Sequence, residues 1–285
     1  MTAGILYVVA TPIGNLADWS PRAREVLATA DLIAAEDTRH TRRLLNHFNI
    51  DTPQLSLHEH NEQLMVPKLL ARLQAGRSIA LVSDAGTPLV SDPGYRLVAA
   101  AQAQGVVVTP IPGPCALTAA LSAAGLPTDR FCFEGFLPAK RPARRERIAA
   151  FAGETRTVVI YESVHRVVEC VADLSELLGS QRRAFIGREI SKRHEQCRTA
   201  DLATIGAMLA DGSIPQKGEF VLVVAGCAMS GESSDDAEAR QLLRKLLPEV
   251  PGKLAAALVA DILGRRPNDM YRLMLEEKAR LPDSA

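Results

Sequence analysis

The chain has 285 residues, 47% of them apolar and 23% charged, a length that suggests two domains and the composition of a globular protein. Its 33 Lys and Arg balance 33 Asp and Glu, which excludes a broadly basic polyanion binder and leaves only a local basic patch open. The five cysteines are scattered without a Cys-x-x-Cys pair, as expected of free thiols in a reducing, cytoplasmic compartment and of no zinc site; no apolar run approaches the roughly 18 residues of a membrane span, and no basic leader precedes the first apolar run.

Ile5 to Ala10 is a continuous apolar run, the pattern of a parallel strand buried on both faces. It ends in Thr11-Pro12-Ile13-Gly14-Asn15. Ser20-Pro21 then reads as an N-cap with Pro at the first helical position. Leu32 to Ala35 is a second strand, ending in Glu36-Asp37-Thr38-Arg39. Gln54 to Leu57 is a third, ending in His58-Glu59-His60-Asn61. A helical pattern follows through Leu64, Leu69, Leu70 and Leu73. Ile79 to Val82 is a fourth strand, and it stops at Ser83-Asp84-Ala85-Gly86-Thr87-Pro88. A second turn cluster, Ser91-Asp92-Pro93-Gly94, leads into a helix from Tyr95 to Gln104, and Val106 to Val108 is a fifth strand. Strands alternating with helices over about 110 residues indicate a parallel sheet covered on both faces.

In such a sheet every strand end faces the same way, and ligands bind outside the carboxyl ends. Four polar clusters therefore share one rim: 11–15, 36–39, 58–61 and 83–88. There is no Gly-x-Gly-x-x-Gly after the first strand, no P-loop and no Gly-x-Ser-x-Gly elbow, so the usual dinucleotide, nucleotide and serine-hydrolase readings lack support. His58 and His60 lie two apart, unlike helical zinc ligands, and no metal is expected.

Pro110-Ile111-Pro112-Gly113-Pro114 is a stiff loop entering a small-residue helix, Cys115 to Ala124. A new strand begins at Phe131. Lys140 to Arg147 carries Lys140, Arg141, Arg144, Arg145 and Arg147, and reads either as a solvated helix face or as a contact for a phosphate backbone. Further strands are expected at Thr157 to Tyr161, Ala184 to Gly187 and Phe220 to Ala225, with their directions open. The charged stretch Arg188 to Glu195 is a salt-bridged surface or a substrate wall. Gly226 to Asp236 reads as a linker. Beyond it lie apolar stripes at Leu242, Leu243, Leu246 and Leu247, and at Leu254, Ala257, Leu258 and Ile262. Gly264-Arg265-Arg266-Pro267 is a turn before a last helix, so the tail is a helix-turn-helix or a plain helical cap.

Ala10 to Leu16, Ala35 to Arg39, Ser83 to Pro88, Ile111 to Pro114 and Tyr161 to Ser163 together resemble the tetrapyrrole-methylase superfamily, the class III S-adenosylmethionine enzymes, and within it the branch acting on small-subunit ribosomal RNA. The resemblance spans about residues 4–226, and the helical tail resembles that branch's C-terminal extension. It implies two α/β domains, 1–118 and 119–229, with S-adenosylmethionine in the cleft between them, and a helical module at 237–285. It implies a homodimer and 2′-O-methylation of a cytidine in the decoding region of 16S rRNA in the small ribosomal subunit. Carried over, the cofactor residues are Pro12, Ser83, Asp84, Ala85, Gly86, Thr87, Pro114, Cys115, Ala116, Tyr161 and Glu162. The first loop departs from the Gly-x-Gly-Pro-Gly-Asp type of the tetrapyrrole enzymes, which argues against the alternative of a porphyrinoid C-methylase. A non-catalytic RNA-binding protein on the same scaffold is the other alternative. Glu36, Asp37, His58, Glu59 and His60 are candidates to take the hydroxyl proton. Arg39, Lys140, Arg141, Arg144, Arg145, Lys192, Arg265 and Arg266 are candidate RNA contacts.

Overall fold

The computed structural model describes residues 4–227 and 234–280. They form two compact units, divided between Gly226 and Cys227. Residues 228–233 of the expected linker lie outside the described residues.

The first unit opens with β1 (Ile5–Val9), α1 (Pro21–Thr29), β2 (Leu32–Ala35), α2 (Thr38–His47), β3 (Gln54–Ser56), α3 (Glu62–Gln74), β4 (Ile79–Val82), α4 (Tyr95–Ala103) and β5 (Val107–Ile111). The strands pair in parallel, in the order β3-β2-β4-β1-β5. Successive side chains on a strand face opposite ways, and both faces are packed. Ile33, Ala35, Ala80 and Val82 meet Ala23 and Leu27 of α1 and Leu45 of α2. Leu32, Ala34, Ile79 and Leu81 meet Leu69 and Leu73 of α3 and Leu97 of α4. Each fully buried Leu contributes about 1.5–3 kcal/mol, so apolar runs on both faces are what hold the sheet between its helices.

Local signals place the turns as expected. The Ser20 hydroxyl accepts from the Ala23 N–H at 3.1 Å and Pro21 opens α1. Strand β5 continues to Ile111, three residues past the expected end, because Thr109, Pro110 and Ile111 pair with β1. Pro110 is tolerated there because β5 is an edge strand.

The chain then runs through α5 (Ala116–Ala124), β6 (Phe131–Phe136), α6 (Arg141–Ala150), β7 (Thr157–Ser163), α7 (Val167–Leu178), β8 (Arg183–Arg188), β9 (Gln196–Asp201), α8 (Leu202–Ala210) and β10 (Glu219–Val224). The second sheet has the order β6-β7-β10-β8-β9, with β6 and β7 parallel and the other pairs antiparallel. Strand β9 was not expected. It is a polar edge strand, recognisable only through its six-residue register with β8. One face of this sheet packs on α5 through Ala120, Leu121 and Ala124. The other packs on α6, α7 and α8 through Ile148, Val171, Leu174 and Ile205.

The second unit is α9 (Ser234–Leu246), α10 (Gly252–Ile262) and α11 (Pro267–Arg280), with its own core of Leu243, Val259, Met270, Leu273 and Met274. The expected stripe on α10 is corrected by one residue. Leu254, Leu258 and Ile262 are 48%, 40% and 63% exposed, while Ala255, Ala256, Val259 and Ala260 face the core. Small side chains win that seam because α10 lies close to α11: a side chain at Gly252 would meet Met274 Sδ at 2.8 Å. Among the described residues no helix is long and apolar enough to cross a membrane.

Candidate active site

The strand-end loops are tied to one another by the backbone. Thr11 and Gly86 form an isolated antiparallel bridge, with the Thr11 N–H donating to the Gly86 carbonyl at 2.8 Å and the reverse bond at 3.1 Å. The Thr11 hydroxyl donates to the Ser83 carbonyl, and the Thr87 hydroxyl to the Pro114 carbonyl at 3.1 Å. The loops after β1, β4 and β5 are thereby fixed together. The loop after β2 joins them through carboxylates. The Asp37 N–H donates to Asp84 Oδ1 at 3.0 Å, and the Asp84 N–H to Glu36 Oε2 at 3.4 Å.

Between these loops and the second sheet lies a cavity of about 500 Å³. Its floor is Asp84 to Thr87, and Cys115 and Ala116 open α5 beside it. Tyr161, Glu162 and Phe220 come from β7 and β10. The Tyr161 hydroxyl accepts from the Leu117 N–H at 2.9 Å, so the second sheet reaches across to the start of α5. Glu36, Asp84, Asp92, Glu162 and Glu219 all line the cavity, and among the described residues no Lys, Arg or His does. Burial raises the Glu36 carboxyl above its ordinary value, against a hydrogen bond from the Asp84 N–H. Burial, reinforced by the Glu36 and Asp84 charges, pushes Asp92 up to about 6. Asp92 Oδ2 is buried without a hydrogen-bond partner. Leu89 and Ser91 have φ of 72° and 67°, a left-handed conformation that costs side-chain-bearing residues about 1 kcal/mol or more each. The strain carries Val90 and Asp92 into the cavity wall.

A second concavity of about 390 Å³ adjoins the first and shares Ile13, Asp84, Ala85 and Glu219 with it. Its other walls include His40, Arg43 and His47 of α2, and Lys192.

Comparison with known proteins decides the family. The model for Tetrapyrrole (Corrin/Porphyrin) Methylases matches residues 5–206, and that for the RsmI C-terminal HTH domain matches 233–278. The ribosomal RNA small subunit methyltransferase I of Pseudomonas aeruginosa is 53% identical over 98% of this chain and 100% of its own length. The protein of the same name from Escherichia coli O157:H7 is 50% identical over 96% of this chain and 96% of its own. The chain belongs to the tetrapyrrole methylase family, in its ribosomal RNA small subunit methyltransferase I branch. Uroporphyrin-III C-methyl transferase from Thermus thermophilus, solved with S-adenyl homocysteine, shares the fold at 20% identity, with a TM-score of 0.53 over 78% of this chain and 97% of its own.

Within this methylase fold, the expected cofactor residues Asp84, Ala85, Gly86, Thr87, Cys115, Ala116, Tyr161 and Glu162 are gathered on one cavity. Ser83 is buried beneath it, Pro114 contributes the carbonyl held by Thr87, and Pro12 lines the adjoining concavity. Of the candidate proton acceptors, Glu36 lines the cavity. Asp37 caps α2 instead. Its carboxylate accepts from the Arg39 side chain and N–H, which holds it far below the ordinary carboxylate range. His58, Glu59 and His60 line neither concavity. His58 and His60 face each other with ring centres 5.9 Å apart. Asp92 was missed, although the Ser91-Asp92-Pro93-Gly94 turn was visible as a signal.

The basic candidates need correction. Arg144 is fully buried and cannot meet a phosphate: its Nε donates to Asp173 at 2.8 Å and its Nη2 to Glu169 at 3.0 Å. Arg145 pairs with Asp173 and Glu176, and Arg141 with Asp173. Lys140 is exposed. Lys192 is held between Glu189 and Glu219, each at 2.9 Å. Arg39 is 89% exposed but paired with Asp37. In the second unit Arg265 pairs with Asp236, and Arg266 is exposed. Among the described residues no group of His, Cys, Asp and Glu is arranged to hold a metal ion.

Proposed function

We propose that the chain transfers a methyl group from S-adenosylmethionine to the 2′-hydroxyl of a cytidine ribose in the decoding region of 16S rRNA. The observation that carries this reading is the charge of the larger cavity: of its five carboxylate residues Glu162 pairs with Arg166 and Glu219 with Lys192, while Glu36, Asp84 and Asp92 have no ion pair among the described residues. A partly enclosed anionic wall attracts a cationic sulfonium and an ammonium group far more strongly than open water would allow. The same wall repels a polycarboxylate such as a porphyrinoid acid, which disfavours the C-methylase alternative. The ribosomal substrate comes from the named relatives.

The residues present fit the cofactor. Small side chains at Ala85, Gly86 and Ala116 let backbone N–H and C=O groups reach a polar ligand. S-adenosylmethionine supplies a methyl group activated by its sulfonium centre. The protein's part is to align the ribose hydroxyl in line with that group, exclude water and receive the proton. Glu36 and Asp84 are already engaged with backbone N–H groups. Asp92 Oδ2 is free of such bonds, so Asp92 takes the proton, and the nearby Glu36 and Asp84 charges strengthen its hold on that proton. A cofactor bound there would supply its methyl group to the hydroxyl oxygen whose proton Asp92 receives.

The proposed setting is a cytoplasmic homodimer working on the assembled small subunit, with two α/β domains meeting at residues 118–119 and the 237–285 module helping to engage RNA. Exposed Tyr95, Val107, Phe131 and Phe136 leave apolar surface that a second copy would cover.

Gly86→Val should weaken cofactor binding by more than about tenfold, or about 1.4 kcal/mol. Space is not the obstacle, since a Cβ there would lie 3.5 Å from Ile13 Cγ2 and 3.9 Å from the Pro114 carbonyl. The obstacle is φ of 88°, which a β-branched residue resists, so the bridge to Thr11 must distort. Calorimetry showing unchanged affinity in a folded variant would remove Gly86 from the site.

The reaction itself is tested with methyl-labelled cofactor and small ribosomal subunits. Label is expected on a ribose 2′-oxygen of 16S rRNA. Label on a base atom or on a porphyrinoid refutes the assignment.

A further inference from the structure

We infer that the exposed face of α2 bearing His40, Arg43 and His47 is the groove through which the RNA backbone reaches the methyl-transfer cavity, an inference that rests on the function proposed above. Positions 40, 43 and 47 recur at helical spacing on one face, and all three side chains are exposed. They line the second concavity, which shares four residues with the larger cavity. A phosphate on this face is therefore next to the place where the ribose must sit.

Charge accounting separates α2 from the Lys140 to Arg147 run and from Lys192. The helix carries Arg39, His40, Arg42, Arg43 and His47 and not one acid. Arg39 is taken by Asp37 and Arg42 faces the Gln54 amide. Among the described residues nothing hydrogen-bonds or ion-pairs with the Arg43 guanidinium. By contrast, Arg141, Arg144, Arg145 and Arg147 are neutralised by Asp173, Glu169, Glu176 and Glu134, which leaves Lys140 alone of that run without an acid among the described residues. Lys192 is neutralised by two glutamates. A chain of zero formal charge thus leaves an uncompensated cation beside its cavity mouth. Arginine offers a planar fork for phosphate oxygens, and each imidazole has an N–H to donate in either ionisation state.

Size sets the kind of RNA. A concavity of about 390 Å³ cannot take a duplex, whereas it suits a nucleotide turned out of its stack. The occupant is a single-stranded or looped segment, its flanking phosphates on α2 and its target ribose over Asp84 and Asp92.

The test is Arg43→Glu, with His47→Ala as a milder second variant, against Lys140→Ala/Arg141→Ala as the comparison. Methyl transfer to small ribosomal subunits gives kcat and KM, calorimetry gives cofactor affinity, and RNA binding is followed against salt. Arg43→Glu should raise KM about tenfold or more, keep cofactor affinity, and reduce the salt slope by roughly one phosphate contact. His47→Ala should raise KM severalfold in the same direction, and the Lys140/Arg141 pair should change KM by less than about twofold. A folded, cofactor-binding Arg43→Glu chain with unchanged KM and salt slope overturns the groove. Loss of cofactor affinity in parallel with KM also overturns it, because the face would then be serving the cavity and not the RNA. If the parent chain transfers no methyl group to the subunit, the proposed function fails and the groove fails with it.

Discussion

Asp92→Asn is expected to lower kcat for methyl transfer by about 10²–10⁴-fold, the usual range for loss of a positioned general base. The change keeps shape and removes only the capacity to accept a proton. Cofactor affinity should change far less than kcat, because Glu36, Asp84, Glu162 and Glu219 still line the cavity. In the parent chain kcat should rise with pH through about 6, where Asp92 loses its proton, and this limb should vanish in the variant. The stability consequence has the opposite sign to that of a salt-bridged acid. Asp92 is raised above its ordinary value of 3.8 in the folded chain. Between those two values the unfolded chain gives up its proton while the folded chain keeps it, so rising pH favours unfolding. Above about 6 the whole penalty is present. Asp92→Asn should therefore be more stable than the parent at pH 7 while nearly inactive, the trade-off expected of a group held charged for function. A variant with kcat within about threefold of the parent would pass the role to the other raised carboxyl, Glu36.

Asp173→Leu should destabilise the first unit by about 3–5 kcal/mol, read as a shift in the urea midpoint at pH 7. Asp173 is fully buried and receives Arg144, Arg141 and Arg145. Its removal leaves the buried Arg144 with Glu169 alone, while Arg144 Nη1 already lacks a partner. The paired change Asp173→Leu/Arg144→Met should recover most of the loss, since a well-packed apolar pair replaces a buried ionic one at little cost. Burial by itself would raise the Asp173 carboxyl, but hydrogen bonds from Arg144, Arg141 and Arg145 reverse this and hold it below 3.8. Its contribution is present above that value and disappears as pH falls through the lower folded one. A loss under about 1 kcal/mol for Asp173→Leu would show that the cluster is merely a surface network.

The first sheet was legible because β1, β2 and β4 announce themselves twice, by an apolar run and by the polar turn that ends it. Ile79 to Val82 followed by Ser83 to Pro88 is such a pair, and β4 has those bounds. That the loops after β1, β2 and β4 share one rim followed from parallel strands, since one direction puts all their ends on one side, whereas the expected cofactor residues came from the family resemblance. Strand partners in the second sheet were not legible, because pairing direction is settled between segments far apart in the chain. The Lys140 to Arg147 run looked like a polyanion contact for a similar reason. The acids that neutralise it, Glu169, Asp173 and Glu176, lie on α7 some turns of chain away. Arg43 escaped notice because its distinction is what it lacks, a partner. Asp92 escaped because its direction depends on left-handed backbone at Leu89 and Ser91, where no glycine marks the strain.

The strand order has a consequence for how the chain comes into being. Strand β1 precedes the other strands, yet its hydrogen-bonded neighbours among the described residues are β4 and β5. A nascent chain emerging from the ribosome holds Leu6 and Val9 unpaired until Ile79 to Val82 has appeared, and the second edge waits for Val107 to Ile111. Strand β4 is the keystone: it joins β1 to β2, and the loop just after it supplies Gly86 to the bridge with Thr11. Such long-range parallel closure is slow, and the waiting segment is open to aggregation or to a chaperone. The bridged loops of the candidate site come together in the same event that closes the sheet, and the cavity is complete only once β7 and β10 have followed.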